Sequence, residues 1–114
     1  MMRLLRRKNT CLEGIWLAED FFLELLFEQI PEKTVIHFLG KQVDILQESP
    51  ELMETARVLI QHNMNLTETA KAMYLHRNTV QFRVNKIRLS LPWDPLHDER
   101  GRMMLQLIVW HSSR

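Results

Sequence analysis

Apolar residues recur at helical spacing between Asn65 and Arg88, where the chain reads NLTETAKAMYLHRNTVQFRVNKIR. Positions i, i+4 and i+7 of a helix share one face. Three apolar residues follow this spacing in the first half of the stretch: Leu66, Ala70 and Met73. Three more follow it in the second half: Val80, Val84 and Ile87. The pattern predicts two consecutive helices that turn their apolar faces toward a common core.

The ends of these two helices are also predicted from local signals. Thr67 is a good N-cap for a short helix from Glu68 to about Met73, because its hydroxyl accepts a backbone N–H that a helix start leaves unpaired. Tyr74, Leu75 and His76 then form the turn. His76 becomes the N-cap of the second helix, where serine is more usual.

Upstream, the residues from Ile15 to Ile30 are strongly apolar on more than one stripe and predict a helix that needs burial on two sides. Pro31 ends it. A second helix is expected from Glu32 to about Leu46, with Gly40 as a weak point. Its apolar residues at helical spacing are Val35, Leu39, Val43 and Leu46.

A scaffold helix follows, in which Ser49 is the expected N-cap and Pro50 the first helical residue. We expect it to pack on the two helices after it through an apolar face formed by Leu52, Ala56, Leu59 and Ile60.

Downstream, Pro92 and Pro95 predict that the second helix of the Asn65 to Arg88 stretch ends near Ser90. Asp98 is the expected cap of a closing helix. The apolar face predicted for that helix comprises Met103, Met104, Leu107, Ile108 and Trp110. We interpret Trp93, in the loop, as a hydrophobic plug.

These elements predict an all-α helical bundle. Three glycines, four prolines and little alternation of β-branched residues leave no signal for strands. The 114 residues and 46% hydrophobic content suit a globular chain with a modest core. We expect residues 1–48 to form a helical linker or dimerisation segment, and residues 49–114 to form the principal domain.

The outward face of the second predicted helix is rich in side chains that pair with bases and phosphates. It carries His76, Arg77, Asn78, Thr79, Gln81, Phe82, Asn85 and Lys86. Arginine forks to guanine, and asparagine or glutamine forks to adenine. Two short helices joined by a turn of this kind are typical of a helix-turn-helix, whose second helix lies in the major groove. Thr67 is a further candidate, as a phosphate contact.

Two other interpretations of this face remain open. A mixed polar face is often only a solvated surface. The motif could also be a degenerate helix-turn-helix in a protein-interaction module that assembles through the surface from Phe21 to Phe27. Retention of Arg, Asn and Gln on the outward face favours DNA.

Charge is unevenly distributed although the net charge is only +1. Between His62 and Ser90, five basic residues oppose one acidic residue, Glu68, which gives +4. Between Asn9 and Ala56, ten acidic residues oppose Lys33 and Lys41, which gives −8. Phosphate contacts supply most of the sequence-independent affinity for DNA. The basic segment is therefore expected to face DNA and the acidic one to face away.

The same residues resemble the C-terminal domain of PucR/CdaR-type bacterial transcriptional regulators, most specifically in the string from His76 to Val80. Resemblance extends over the scaffold and closing helices and more faintly toward the N-terminus. It departs at Asn63, Met64 and Asn65, where the loop has no glycine, and at LSLPWD. It implies a regulator, often an activator, that answers a small metabolite bound by an N-terminal region absent from this chain.

Enzymatic and metal-binding functions find no support in the sequence. Cys11 is the only cysteine, so neither a disulfide nor a cysteine-based zinc site forms within one chain, and a cytoplasmic location is expected. The five histidines are too scattered for a metal site, and no cofactor-binding motif appears. They are His37, His62, His76, His97 and His111.

The N-terminal region indicates neither a signal peptide nor a membrane span. Met1 to Lys8 is basic but lacks an apolar core, and we interpret it as the end of a helix from a longer sensor-containing protein. The stretch from Ile15 to Ile30 is too short and too charged to cross a bilayer. Because one recognition helix covers few base pairs, specific binding implies a homodimer on double-stranded DNA.

Overall fold

The computed structural model describes residues 22–113, which form six α-helices and no strands. The helices are α1 (Phe22–Glu28), α2 (Glu32–Gln47), α3 (Pro50–Gln61), α4 (Leu66–Met73), α5 (Arg77–Leu89) and α6 (Glu99–Ser112). The all-α prediction is confirmed. The expectations for Met1 to Lys8, for Cys11 and for the first half of the helix predicted from Ile15 lie outside the described residues.

The chain divides into two compact units, residues 1–32 and 33–114. In the first unit, α1 ends at Glu28, just before Pro31, as predicted. Turn hydrogen bonds from the amides of Gln29 and Ile30 close this end. The predicted boundary between residues 48 and 49 stays a prediction.

Helix α2 follows the predicted pattern closely. Its buried stripe comprises Val35, Leu39, Val43 and Leu46. The helix runs through Gly40 without a break and ends at Gln47, one residue later than expected.

Helix α3 is the scaffold on which the next helices pack. Ser49 caps it as predicted: its Oγ accepts a hydrogen bond from the amide of Leu52 at 3.4 Å, and Pro50 is the first helical residue. Leu52, Ala56 and Leu59 are buried. α3 contacts α4, α5 and α6, so the predicted packing is confirmed.

The connection from α3 to α4 turns sharply without a glycine. Asn63 and Met64 both have positive φ, at 54° and 65°, a region that non-glycine residues rarely adopt. The amide of Met64 donates to the carbonyl of Leu59 at 2.8 Å and fixes the turn. Its side chain packs against the core beside Leu66.

The core between α3, α4 and α5 is small and closely packed. Its buried members are Leu59, Ala70, Val80 and Val84. Ala70 brings α4 against α5, since a larger side chain would hold the two helices further apart. Partly buried residues that pack around this cluster are Met64, Leu66, Leu75 and Leu96.

In the C-terminal part, one prediction was wrong and another was right only in part. Trp93 is not a plug: it is 36% exposed, and the buried residues of the loop are Leu91 and Pro95. On α6 the buried face comprises Gly101, Leu105 and Ile108. Of the predicted face, Ile108 is therefore buried, whereas Met104, Leu107 and Trp110 are half-buried and Met103 is half exposed. Asp98 does cap α6, because its Oδ1 accepts from the amide of Arg100 at 2.9 Å.

Within residues 22–113, no helix has the length and apolar character needed to cross a membrane.

Candidate nucleic-acid interface

Helices α4 and α5 form a helix-turn-helix whose turn is Tyr74, Leu75 and His76. Tyr74 ends α4 in the left-handed conformation, with φ 58° and ψ 40°, and its side chain is 94% exposed. The amide of Leu75 donates to the carbonyl of Ala70 at 3.0 Å. Leu75 packs against the core and anchors the turn.

The N-cap of α4 is Asn65 rather than the predicted Thr67. Asn65 is extended, and its Oδ1 accepts from the amide of Glu68 at 2.9 Å. Helix α4 therefore begins two residues earlier than expected, at Leu66. Both residue types are good caps, but Leu66 packs against the core. That packing draws Leu66 into the first helical turn and leaves Asn65 at the cap position.

Thr67 instead links the two helices of the motif. As the second residue of α4 it is exposed, and its Oγ1 accepts a hydrogen bond from Nε of Arg77 at 3.2 Å. Arg77 is the first residue of α5. The hydrogen bond thus brings the N-terminal turns of both helices together on one side of the motif.

His76 caps α5, as the sequence predicted. Its Nδ1 accepts from the amide of Asn78 at 3.0 Å, which requires the tautomer with an unprotonated Nδ1. Its carbonyl accepts from the amides of Thr79 and Val80. The observed span of α5, Arg77–Leu89, is the one expected.

The outward face of α5 lies opposite the buried residues Val80, Val84 and Ile87. Its centre carries four exposed residues at helical spacing: Asn78, Phe82, Asn85 and Leu89. Phe82 is 61% and Leu89 87% exposed. Thr79 and Gln81 are half-buried at the flanks. Leu89 was missed in the sequence interpretation, although its spacing from Asn78 and Phe82 was available.

One cation–π contact and two hydrogen bonds join neighbouring side chains along this face. Nζ of Lys86 lies 4.7 Å from the centroid of the Phe82 ring, within the range of a cation–π interaction. Oδ1 of Asn85 accepts from Nε2 of Gln81 at 3.4 Å and from the Arg88 guanidinium at 3.2 Å.

Three of the five basic residues between His62 and Ser90 are paired with carboxylates. Lys71 pairs with Glu68, Arg83 pairs with Glu51 on α3, and Arg88 pairs with Asp94. Arg77 and Lys86 form no ion pair among the described residues. The positive charge counted from the sequence is therefore partly neutralised on the flanks of α5.

Asp94 joins the end of α5 to the loop that precedes α6. Its carboxylate accepts from Arg88 and from His97, each at 2.8 Å, and from the amide of Leu96 at 2.9 Å. Partial burial acts to raise the pKa of Asp94. The hydrogen bonds from His97, Leu96 and Arg88 outweigh that effect and hold the pKa below its ordinary value. The sequence did not predict this set of contacts around the Asp94 carboxylate, because Arg88 was considered only as one of the basic residues of the segment.

Among the side chains of residues 22–113, no group of three or more His, Cys, Asp or Glu could hold a metal ion.

Comparison with known proteins agrees with this geometry. The model of the PucR C-terminal helix-turn-helix domain matches residues 52–110, which is just over half of the chain. That range contains α4, the turn and α5 in full.

Curated relatives occur in Bacillus subtilis (strain 168). The uncharacterized protein YxkF is 39% identical over 69 residues, covering 60% of this chain and 23% of that protein. The purine catabolism regulatory protein is 38% identical over 106 residues, covering 90% of this chain and 19% of that one. The chain thus spans about a fifth of the length of these relatives. No solved structure matches it. The chain belongs to the PucR C-terminal helix-turn-helix domain family, and it is a DNA-binding regulatory domain in general terms.

Proposed function

We propose that this chain binds double-stranded DNA in a sequence-specific manner, with α5 in the major groove. The observation that carries the proposal is the hydrogen bond between Thr67 and Arg77, which brings the first turns of α4 and α5 together. Helix N-termini bind phosphate through free amides and the helix dipole. A DNA duplex that approaches the side of the motif on which Thr67 and Arg77 lie would contact the N-termini of both helices and the outward face of α5.

The side chains divide by role under this proposal. Thr67 and Thr79 contact phosphate, and Lys86 neutralises a neighbouring phosphate. Arg77, His76 and Gln81 lie at the edges of the face and Asn78, Phe82 and Asn85 at its centre, where base edges are reached. All nine residues come from the two helices of the motif and its turn, and none of these roles needs catalysis or a cofactor.

Genomic specificity leads us to propose a homodimer. One recognition helix reads only a few base pairs, so two copies would bind half-sites about 34 Å apart or a multiple of that distance. The residues before the helix-turn-helix domain, 1–48, would form the linker or dimerisation segment.

The family and its curated relatives support a role in bacterial transcription regulation. One relative is named a purine catabolism regulatory protein, and this chain covers 19% of it. We propose that a small-molecule effector acts through a region outside this chain and that the protein works in the cytoplasm.

A protein-interaction module with a degenerate helix-turn-helix is the second candidate. It is favoured by the exposed apolar side chains of Phe22 and Leu26 on α1, and by those of Phe82 and Leu89 on the outward face of α5. Apolar side chains exposed together can mark a contact surface for another protein. The two functions differ in the side chains that they require. DNA binding requires Arg77 and Lys86, whereas a surface that binds only protein does not.

The test is selection of bound duplexes from a random library with the purified chain, followed by affinity measurements over a range of salt concentrations. Arg77→Ala should lower affinity for the selected site by about 1 to 3 kcal/mol and relax one base preference. Lys86→Ala should weaken binding to all sequences alike. It should also reduce by about 1 the slope with which the logarithm of the binding constant falls with the logarithm of salt concentration. Lys41→Ala, at an exposed position of α2, is the matched control and should change neither quantity. Failure to enrich any sequence, or normal affinity in the Arg77 and Lys86 variants, would overturn the groove assignment.

A further inference from the structure

Phe82 has no role in the interior of the domain. It lies on the side of α5 opposite Val80 and Val84, and 61% of its surface is exposed. Its ring contact is with the Lys86 ammonium, itself an exposed group on the same helix. An aromatic ring left in water gives up the favourable transfer free energy that burial would provide. The position of Phe82 is thus better explained by what the ring meets outside the chain.

The neighbours of Phe82 on the outward face are amides. Asn78 lies one turn before it and Asn85 one turn after it, both exposed. Asn85 already accepts from Gln81 and Arg88 through its oxygen. The side-chain amide of Asn78 has no hydrogen bond among the described residues. Its oxygen and nitrogen are both available, which is the condition for a bidentate contact to the N6 and N7 atoms of adenine.

An α-helix fits the major groove of B-DNA, about 12 Å wide, but not the minor groove, about 6 Å wide. A ring at the centre of the outward face of α5 therefore contacts the edges of bases in the major groove. It does not insert between two base pairs from the minor groove. The apolar group on those edges is the C5-methyl group of thymine. Four residues of helix advance about 6 Å, and successive base pairs of B-DNA lie about 3.4 Å apart, so Asn78 and Phe82 reach base pairs one or two steps apart.

We infer that Phe82 selects thymine by contact with its C5-methyl group, one or two base pairs from an adenine read by Asn78. This inference rests on the proposed DNA-binding function and assigns the bases that the site prefers.

The experiment replaces thymine by uracil, which removes the methyl group and leaves base pairing unchanged. On a duplex obtained by selection, uracil at the contacted position should lower the affinity of the wild type about fourfold, which corresponds to about 0.8 kcal/mol for one buried carbon. Phe82→Ala should bind more weakly and no longer distinguish thymine from uracil. Phe38→Ala removes an exposed ring on α2, within the proposed linker or dimerisation segment, so it should keep the wild-type ratio of thymine to uracil affinity even if both affinities fall.

The outcomes separate the inference from the function on which it rests. Equal binding of thymine and uracil duplexes by the wild type would overturn the inference while DNA binding stands. Discrimination that persists in Phe82→Ala would overturn it as well. No binding to any duplex would overturn the proposed function itself. Phe82→Leu gives a second variant if the alanine variant loses helix content, and it should show a reduced preference for thymine.

Discussion

The carbonyl oxygen of Trp93 lies 2.5 Å from the position that a Cβ atom on Gly101 would occupy. The carbonyl carbon of Asp94 lies almost as close, at 2.9 Å. Gly101 is therefore the residue that lets the loop after α5 lie directly against the first turn of α6. Any other side chain would push the loop and the helix apart.

Gly101→Ala should destabilise the domain by about 1 to 3 kcal/mol, because the obstructing atoms belong to the backbone and cannot rotate away. The measurement is urea unfolding followed by circular dichroism. Gly40→Ala is the matched control. A Cβ there meets only Cγ2 of Ile36 at an ordinary 3.5 Å, so the higher helix propensity of alanine should stabilise α2 by about 0.5 to 1 kcal/mol. Equal effects of the two variants would contradict this account.

Asp94→Asn should lower stability at pH 7 by about 1 to 2 kcal/mol, since it weakens the contacts with Arg88 and His97. The pKa of Asp94 is lowered by folding, so its contribution is present above the ordinary value of 3.8 and is lost as the pH falls through the folded-state pKa. Wild type and variant should therefore converge in acid. Unfolding curves from pH 7 down to pH 2 test this, with the exposed Asp44→Asn expected to change little.

Tyr74→Gly should stabilise the turn. A non-glycine residue in the left-handed region carries a steric cost of about 1 kcal/mol, and Tyr74 recovers none of it by burial. Tyr74→Ala keeps that steric cost. The free energy of unfolding of the glycine variant, measured by thermal unfolding, should therefore exceed that of the alanine variant by up to about 1 kcal/mol. A more stable alanine variant would show that the backbone of Tyr74 is not strained.

Asn65→Ala should cost about 1 kcal/mol by removing the cap of α4. Thr67→Ala should cost less in stability, because Thr67 lies inside the helix. It should instead lower DNA affinity by freeing Arg77 to adopt other rotamers. Chemical unfolding and duplex titration of the same two variants separate the effects. A larger stability loss for the Thr67 variant would restore Thr67 as the cap.

Local rules in the sequence predicted much of this fold. The caps Ser49, His76 and Asp98 and the span of α5 follow from residue type and spacing within a few positions, and all agree with the structure. Where local signals were equivalent, packing decided. Asn65 and Thr67 are both good caps, and the contact of Leu66 with the core selects the first.

The predictions that failed depend on contacts between distant parts of the chain. Helix α6 carries apolar residues on nearly every side, so its spacing identified Ile108 as part of the buried face but not Leu105. The exposure of Trp93 follows from burial of Leu91 and Pro95 on either side of it. For the candidate site, sequence reasoning placed the outward residues on one helix but not the ion pair between Arg83 and Glu51, which links α5 to α3.

The pairing of Lys71, Arg83 and Arg88 with carboxylates has a consequence for counterions. If all five basic residues of this segment displaced ions from DNA, the logarithm of the binding constant would fall with the logarithm of salt concentration with a slope of about −4.5. With only Arg77 and Lys86 unpaired, we expect a slope of about −2 per protomer. A domain of this kind would hold non-specific DNA loosely and would depend on base contacts, or on a second protomer, to remain at a site.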